Sequence, residues 1–475
     1  MGSWPRYRLV LLALLVAGVV FSLHSWVMGY LAWRRALRAA GFVDEMSPPG
    51  RRDTVLIVAP HPDDEVLGCG GLIQQALANG ARVHVALMTN GDASELAVLL
   101  GEKELPWRPS SMIDLGLARQ QESLKALSAL GLDPGHVHFL GFPNNGLVAL
   151  WRPEHWRYSD LYRSPYTHAT FSPYRHSVTP QAPYCGQQVL SDLVALLQQV
   201  RPTHIFVTHP RDIHPDHWAT NCFLRYALAT AAVRNAQWAR ATQVWGYLVH
   251  WSRFPAPMRA GTNLALLPPP ELNGGQAQWY RLPLASEEAK RKLATIRKYH
   301  SQEPRFDRLL LRFGRENEIF EPLSPIEVAS GSLLSWQEKG YSRRSLGGAQ
   351  VRSLQLQVRD DLSAGAELTT APRRIPERGY IALDLRTWDE HRLPVITTLY
   401  LGPRGQARAV QLRPASGPQP LLVRAEMISS DAVRISRLPL PPHSLVEREL
   451  FVSCWGSIRD RVTDPVVVSW VRFPD

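Results

Sequence analysis

Residues 55–71 read VLIVAPHPDDEVLGCGG. A short apolar run, partly β-branched, halts at Pro60, and His61, Asp63, Asp64 and Glu65 follow at once. Such a run predicts a strand buried on both faces, as in a parallel sheet. The glycines behind the acids mark a tight turn leading into a helix. Charged groups crowded against the end of a buried strand are costly unless something pairs with them. This stretch therefore constrains both the fold and the place where chemistry occurs.

The rest of the first two thirds continues the rhythm. Apolar segments at 83–88, 137–140 and 205–208 predict further strands. Helical spacing covers 72–78, 111–130 and 187–200, with Ser111 and Asp114 as a capping pair for the second. Strands alternating with helices give an α/β fold with a mainly parallel sheet covered on both faces. In such sheets the ligand lies beyond the carboxyl ends of the strands. The HPDD acids sit at one such end.

Between the third strand and the next helix lies an insertion, 151–185, in which tyrosines and tryptophans alternate with Arg152, Arg157, Arg163 and Arg175. It leaves from a strand's carboxyl end, so it is placed near the site. It reads either as a substrate lid, with aromatic faces for sugar rings, or as a surface loop glued by its own aromatics. A Pro/Gly-rich loop at 266–276 and a helix at 286–299 follow. From about 324 short alternating segments such as SLQLQVR, YIALDLR and VVVSWVRF appear between turn residues. They predict an all-β, sandwich-like domain over 325–475, either a carbohydrate-binding module or a packing partner.

At the other end, 9–33 reads LVLLALLVAGVVFSLHSWVMGYLAW, free of acids, lysine and arginine. About 20 apolar residues suffice to cross a bilayer as a helix. This predicts an N-terminal transmembrane anchor and a single-pass membrane protein. Arg34, Arg35 and Arg38 behind the segment tilt the remainder toward the cytoplasm.

The net charge of +11 favours an anionic partner. No zinc-finger spacing or RNA-binding aromatic motif accompanies it, so nucleic acid is set aside. The four cysteines, Cys69, Cys185, Cys222 and Cys454, are scattered and suggest neither disulfides nor a thiolate metal site.

A second cluster, THPRDIHPDH at 208–217, closes the fourth predicted strand. Two clusters at strand ends converge on one edge of the sheet. Imidazole and carboxylate suit zinc at a catalytic site, where three protein ligands leave a position for water. His61 and Asp64, three apart at a turn, can reach one ion, and His217 is the best third ligand. Asp63 then stands beside the water as a proton acceptor. His214, if protonated, is placed to stabilise an oxyanion, with Asp216 fixing its tautomer and orientation. Taken singly, HPDD is also a plain helix cap and HPDH a plain surface loop.

The set APHPDDEVLGCGG, TNGD, RQQESLKALSALG, LGFPNNGL and RPTHIFVTHPRDIHPDH resembles the LmbE-like, or PIG-L, family of zinc-dependent N-acetylglucosaminyl deacetylases. The likeness covers about 53–322. It implies a Rossmann-like domain that hydrolyses the N-acetyl group of a glucosamine-type sugar on a lipid-linked or polymeric glycan. It implies Zn2+ held by His61, Asp64 and His217, Asp63 as general base, and His214 with Asp216 as the oxyanion pair. Arg119 matches an arginine that touches substrate. Where the family often has aspartate in the LG-x-PD turn, this chain has Asn144, an amide able to bond sugar hydroxyls as donor and acceptor, a departure that bears on substrate preference. The remaining alternatives are an amidase acting on another acylated amine or sugar conjugate, and a non-catalytic glycan-binding membrane protein.

Overall fold

The computed structural model describes residues 43–93, 108–272, 278–302, 309–329 and, with breaks, 332–473, together with scattered positions from 12 to 34. Among these, eight strands form one sheet: β1 (Asp44–Glu45), β2 (Thr54–Ala59), β3 (Arg82–Thr89), β4 (Val137–Phe142), β5 (His204–Thr208), β6 (Gln243–Tyr247), β7 (Tyr280–Pro283) and β8 (Asn317–Pro322). Their order is β1-β7-β8-β6-β5-β2-β3-β4. The run from β6 to β4 is parallel throughout, while β8 pairs antiparallel with both β6 and β7.

The chain winds outward from β2 in one direction through β3 and β4, and in the other through β5 and β6. The order reverses between β2 and β5, and a crevice opens at such a reversal. All six residues of β2 are buried. Leu56 and Val58 enter one core, Val55 and Ile57 the other, as the two-residue period of a strand requires.

The helices are α1 (Asp64–Ala78), α2 (Pro109–Ala129), α3 (Leu147–Trp151), α4 (Gly186–Val200), α5 (Pro215–Val233), α6 (Gln237–Ala241) and α7 (Ser286–Ile296). Helix α1 starts directly at Asp64 and runs through the GCGG stretch, earlier than the predicted helix at 72–78. Glycine there permits close packing: a Cβ on Gly68 would stand 2.2 Å from the Tyr247 ring. Helix α2 begins at Pro109 behind Arg108, which makes no side-chain cap, so the predicted Ser111–Asp114 cap is replaced by a proline start.

The C-terminal part contains a five-stranded and a seven-stranded sheet. Their facing side chains share one core, including Leu354 and Leu356 from one and Leu383, Leu385 and Val452 from the other. The opposite face of the seven-stranded sheet is apolar too. Ala382, Trp388, Phe451 and Trp455 join the core that holds Trp218, Phe223 and Tyr226 of α5. This explains why α5 is buried on every side. Arg386 fixes the contact. Its Nε is 2.6 Å from Asp384 Oδ2, its guanidinium lies 3.2 Å from the Trp151 ring centroid, and it donates to the Trp151 carbonyl. Trp388 Nε1 donates to Thr230 and Arg225 to the Val468 carbonyl. The β-rich region thus packs tightly on the α/β part.

The transmembrane anchor predicted over 9–33 is corrected. Part of that stretch lies outside the described residues, and among the described ones no helix is long and apolar enough to cross a membrane. The single-pass membrane localisation, and the cytoplasmic orientation built on it, lose their basis with it.

Candidate active site

The site forms where β2 and β5 end side by side. The turn after β2 carries His61, Asp63 and Asp64 into the start of α1, and the turn after β5 carries His214, Asp216 and His217 into the start of α5. Parallel neighbours bring their carboxyl ends to one edge, so the two remote motifs meet there. Asp64 Oδ2 lies 3.1 Å from His61 Nδ1 and 3.1 Å from His217 Nε2. Ligand atoms of His61, His214 and His217 lie within 4.8 Å of one another, as do those of Asp64, His217 and His250.

The donor set fits a divalent cation. His217 is buried, and neither of its ring nitrogens makes a hydrogen bond of good geometry, although each lies 3.1 Å from a carboxylate oxygen, of Asp64 on one side and Asp212 on the other. A buried imidazole with a nitrogen left open toward Asp64 and His61 is what a metal ligand requires. Asp212 supplies the outer support typical of such a histidine. Its carboxylate also accepts from the backbone N–H of Val249, His250 and His214.

Electrostatics follow from the crowding. Burial pushes Asp64 upward, but the nearby His217 and His61 imidazoles outweigh this and hold its carboxyl well below the usual range. Burial lowers His217, yet Asp212 and Asp64 carry it up to about 10. For Asp63 burial and the charge of Asp64 act together against Arg119 and raise it to about 8. Burial and the neighbouring His61 and His217 hold His214 well below the ordinary histidine value, so it is neutral at pH 7. Its Nδ1 accepts from the Asp216 backbone N–H, which assigns the proton to Nε2.

Asp63 has a φ of 120°, where side-chain-bearing residues are rarely found. Arg119 holds the loop that imposes it. This guanidinium is buried and donates to the carbonyls of Gly91 and Pro62, with Asp63 Oδ2 at 3.6 Å. Gly91 of the TNGD turn sits at φ 68°, and a Cβ there would stand 1.9 Å from Arg119 Nη1. Arg119 thus lines the cavity while its two terminal nitrogens bond main-chain carbonyls. Asn144 also lines it, and its backbone N–H is held by Asp92. The Asp216 carboxylate reaches Asn145 N at 2.6 Å, Leu147 N at 3.2 Å and His61 Nε2 at 3.3 Å, so it contacts His214 only through its own backbone.

The cavity measures about 370 Å³, with His61, Asp63, Asp64 and His214 on its polar side and Trp251, Phe254 and Phe313 on its apolar side. Three contributors escaped the sequence reading. His250 follows β6, and its signal was another apolar strand ending in a histidine. Asp212 lay within the second motif without an assigned part. Tyr299, in the KYHSQ stretch, donates to Glu65 at 2.6 Å and so braces the turn at Asp63, whose N–H Glu65 also accepts.

Residues 56–228 match the family model described as PIG-L: GlcNAc-PI de-N-acetylase, and carry a domain of that family. Among curated proteins, the 1D-myo-inositol 2-acetamido-2-deoxy-alpha-D-glucopyranoside deacetylase of Mycobacterium sp. (strain KMS) is 35% identical over 206 residues, covering 43% of this chain and 57% of that protein. The deacetylase of the same description from Rhodococcus jostii (strain RHA1) is 30% identical over 192 residues, covering 38% and 53%. The chain therefore spans little more than half the length of the curated relatives it matches. Among solved structures, the N,N'-diacetylchitobiose deacetylase from Pyrococcus horikoshii shows 19% identity and a TM-score of 0.32, over 53% of this chain and 70% of that one.

Proposed function

We propose that this chain, with its PIG-L domain, is a zinc-dependent hydrolase that removes the N-acetyl group from an N-acetylglucosamine-type sugar. The observation that carries the reading is the position of Asp64 Oδ2, 3.1 Å from both the His61 and the His217 imidazoles, with the Asp63 carboxylate on the same cavity. The descriptions of the family model and of the curated relatives point the same way.

In this reading His61, Asp64 and His217 hold the ion. When bound, a zinc ion acidifies water and polarises a carbonyl oxygen. The protein's own groups do the rest. Asp63 takes a proton from the water that adds to the amide carbonyl carbon. A carboxylate on the cavity wall beside the ion can accept that proton and give it back. The C–N bond then breaks, and Asp63 returns the proton to the departing amine nitrogen, leaving acetate and a free amino sugar. The Nε2–H of neutral His214 donates to the oxyanion formed on the way. Asp216 fixes that ring through its backbone N–H. Arg119 positions Asp63 by holding the Pro62 and Gly91 carbonyls. Asn144, facing the cavity, bonds sugar hydroxyls.

The test is acetate release. Zinc-loaded protein is incubated with N-acetylglucosamine and its glycosides, and products are read by mass. Loss of one acetyl unit per sugar is expected. Release of a different acyl group with N-acetyl sugars untouched shifts the reading to another amidase.

A further inference from the structure

A second cavity, of about 800 Å³, lies beside the first and shares Asn145 with it. Pro215, between His214 and Asp216, also lines it. Beyond these and Val148 and Ala149 of α3, its walls come from two distant parts of the chain. Tyr162 and Tyr166 belong to the 151–185 insertion, while Tyr380, Tyr400 and Arg408 belong to the seven-stranded sheet of the C-terminal part. The α/β part thus does not close this space alone.

Its chemistry is that of a ring-binding site. Tyr380 and Tyr400 meet edge to face at 5.4 Å, so one presents a face where the other presents an edge. Tyr400 OH is fixed by Glu154 at 3.0 Å. The Arg408 guanidinium stands 4.5 Å from the Tyr400 ring centroid and is largely exposed, with donors for hydroxyl groups. Tyr400 is buried with Arg408 over its ring, so what the cavity offers a sugar is aromatic wall from Tyr162 and Tyr166 beside the polar groups of Arg408 and Glu154. The cavity also adjoins, through Asn145, the place where an N-acetylated sugar would be hydrolysed.

We propose that this cavity is a second sugar subsite, built jointly by the insertion and the C-terminal sheet, which takes the neighbouring residue of an oligosaccharide whose N-acetylated sugar occupies the candidate active site. The proposal rests on the deacetylase reading for its orientation. It gives the β-rich region a part in substrate choice, since binding energy from a remote sugar raises turnover of the longer substrate.

The probes are N-acetylglucosamine and its β-1,4-linked dimer and trimer, tested on wild-type protein and on the double variant Arg408→Ala/Tyr166→Ala. For the wild type kcat/KM should rise about tenfold or more with the second sugar. In the variant the ratio of dimer to monomer should fall toward one. Calorimetric binding of the trimer, read on the same zinc-loaded proteins, should weaken about tenfold in the variant. No gain from the second sugar in the wild type, or a full gain kept in the variant, overturns the subsite. Trimer binding that depends on Arg408 and Tyr166 without acetate release keeps the subsite and overturns the deacetylase reading. No trimer binding at all overturns the subsite. An Arg408→Ala single variant, altered only at an exposed side chain, guards against misfolding of the pair.

Discussion

His217 and Asp64 meet at 3.1 Å, although one opens the helix after β5 and the other the helix after β2. The parallel pairing of those strands brings them together, so the contact depends on fold and motif at once. Replacing either by alanine should empty the candidate metal centre. Metal content by mass spectrometry should fall from about one ion per chain to near zero, and acetate release should fall with it. A chelator should do the same to the wild type, with activity returning on added zinc.

Asp63 is expected to matter for turnover and not for metal retention. Asp63→Asn should lower kcat by about 10²–10⁴ while metal content stays that of the wild type. Acetate release and metal analysis on the same preparation check this. Wild-type kcat in the variant removes Asp63 from the proposed chemistry.

Much of this centre was legible in the sequence because both motifs directly follow apolar runs, and apolar runs of that length are buried strands. His250 was not, since its part depends on β6 lying next to β5, which no local pattern encodes. The alternation in YIALDLR announced a strand, with Leu383 and Leu385 on one face. It did not announce that Asp384 and Arg386 on the other face would be buried against Trp151. An ion pair on a strand normally reads as a solvated face. The apolar N-terminal run was read from hydropathy alone, and among the described residues no helix is long and apolar enough to cross a membrane.

Gly91 should tolerate no side chain. Gly91→Ala meets both a left-handed φ and the Arg119 guanidinium. The variant should lose about 1–3 kcal/mol of stability, read from denaturant midpoints, and should lower kcat through displacement of Arg119 from beneath Asp63.

Arg386 joins the β-rich region to the α/β part. Arg386→Met leaves the Asp384 carboxylate buried without its partner and should cost about 3–5 kcal/mol. The double variant Asp384→Leu/Arg386→Met should recover much of that loss. Chemical denaturation of the single and double variants measures the difference.

Away from the site, His84 packs on His136 and His138, with His84 Nδ1 at 3.2 Å from His138 Nε2. Burial and the two neighbouring imidazoles push His84 down to about 4, and His138 moves the same way. A histidine depressed in the folded state binds its proton more readily when unfolded. Its contribution is therefore intact above pH 6.5 and is lost as pH falls from 6.5 toward 4. His84→Gln should flatten that part of the stability profile, measured by thermal unfolding at a series of pH values.

The most direct test is anomalous diffraction at the zinc edge from a crystal of the zinc-loaded protein. A single strong peak bonded to His61, Asp64 and His217 at about 2.0–2.2 Å is the predicted result. A peak at other residues, or zinc-loaded protein that releases acetate with no ion between those three side chains, would contradict the account.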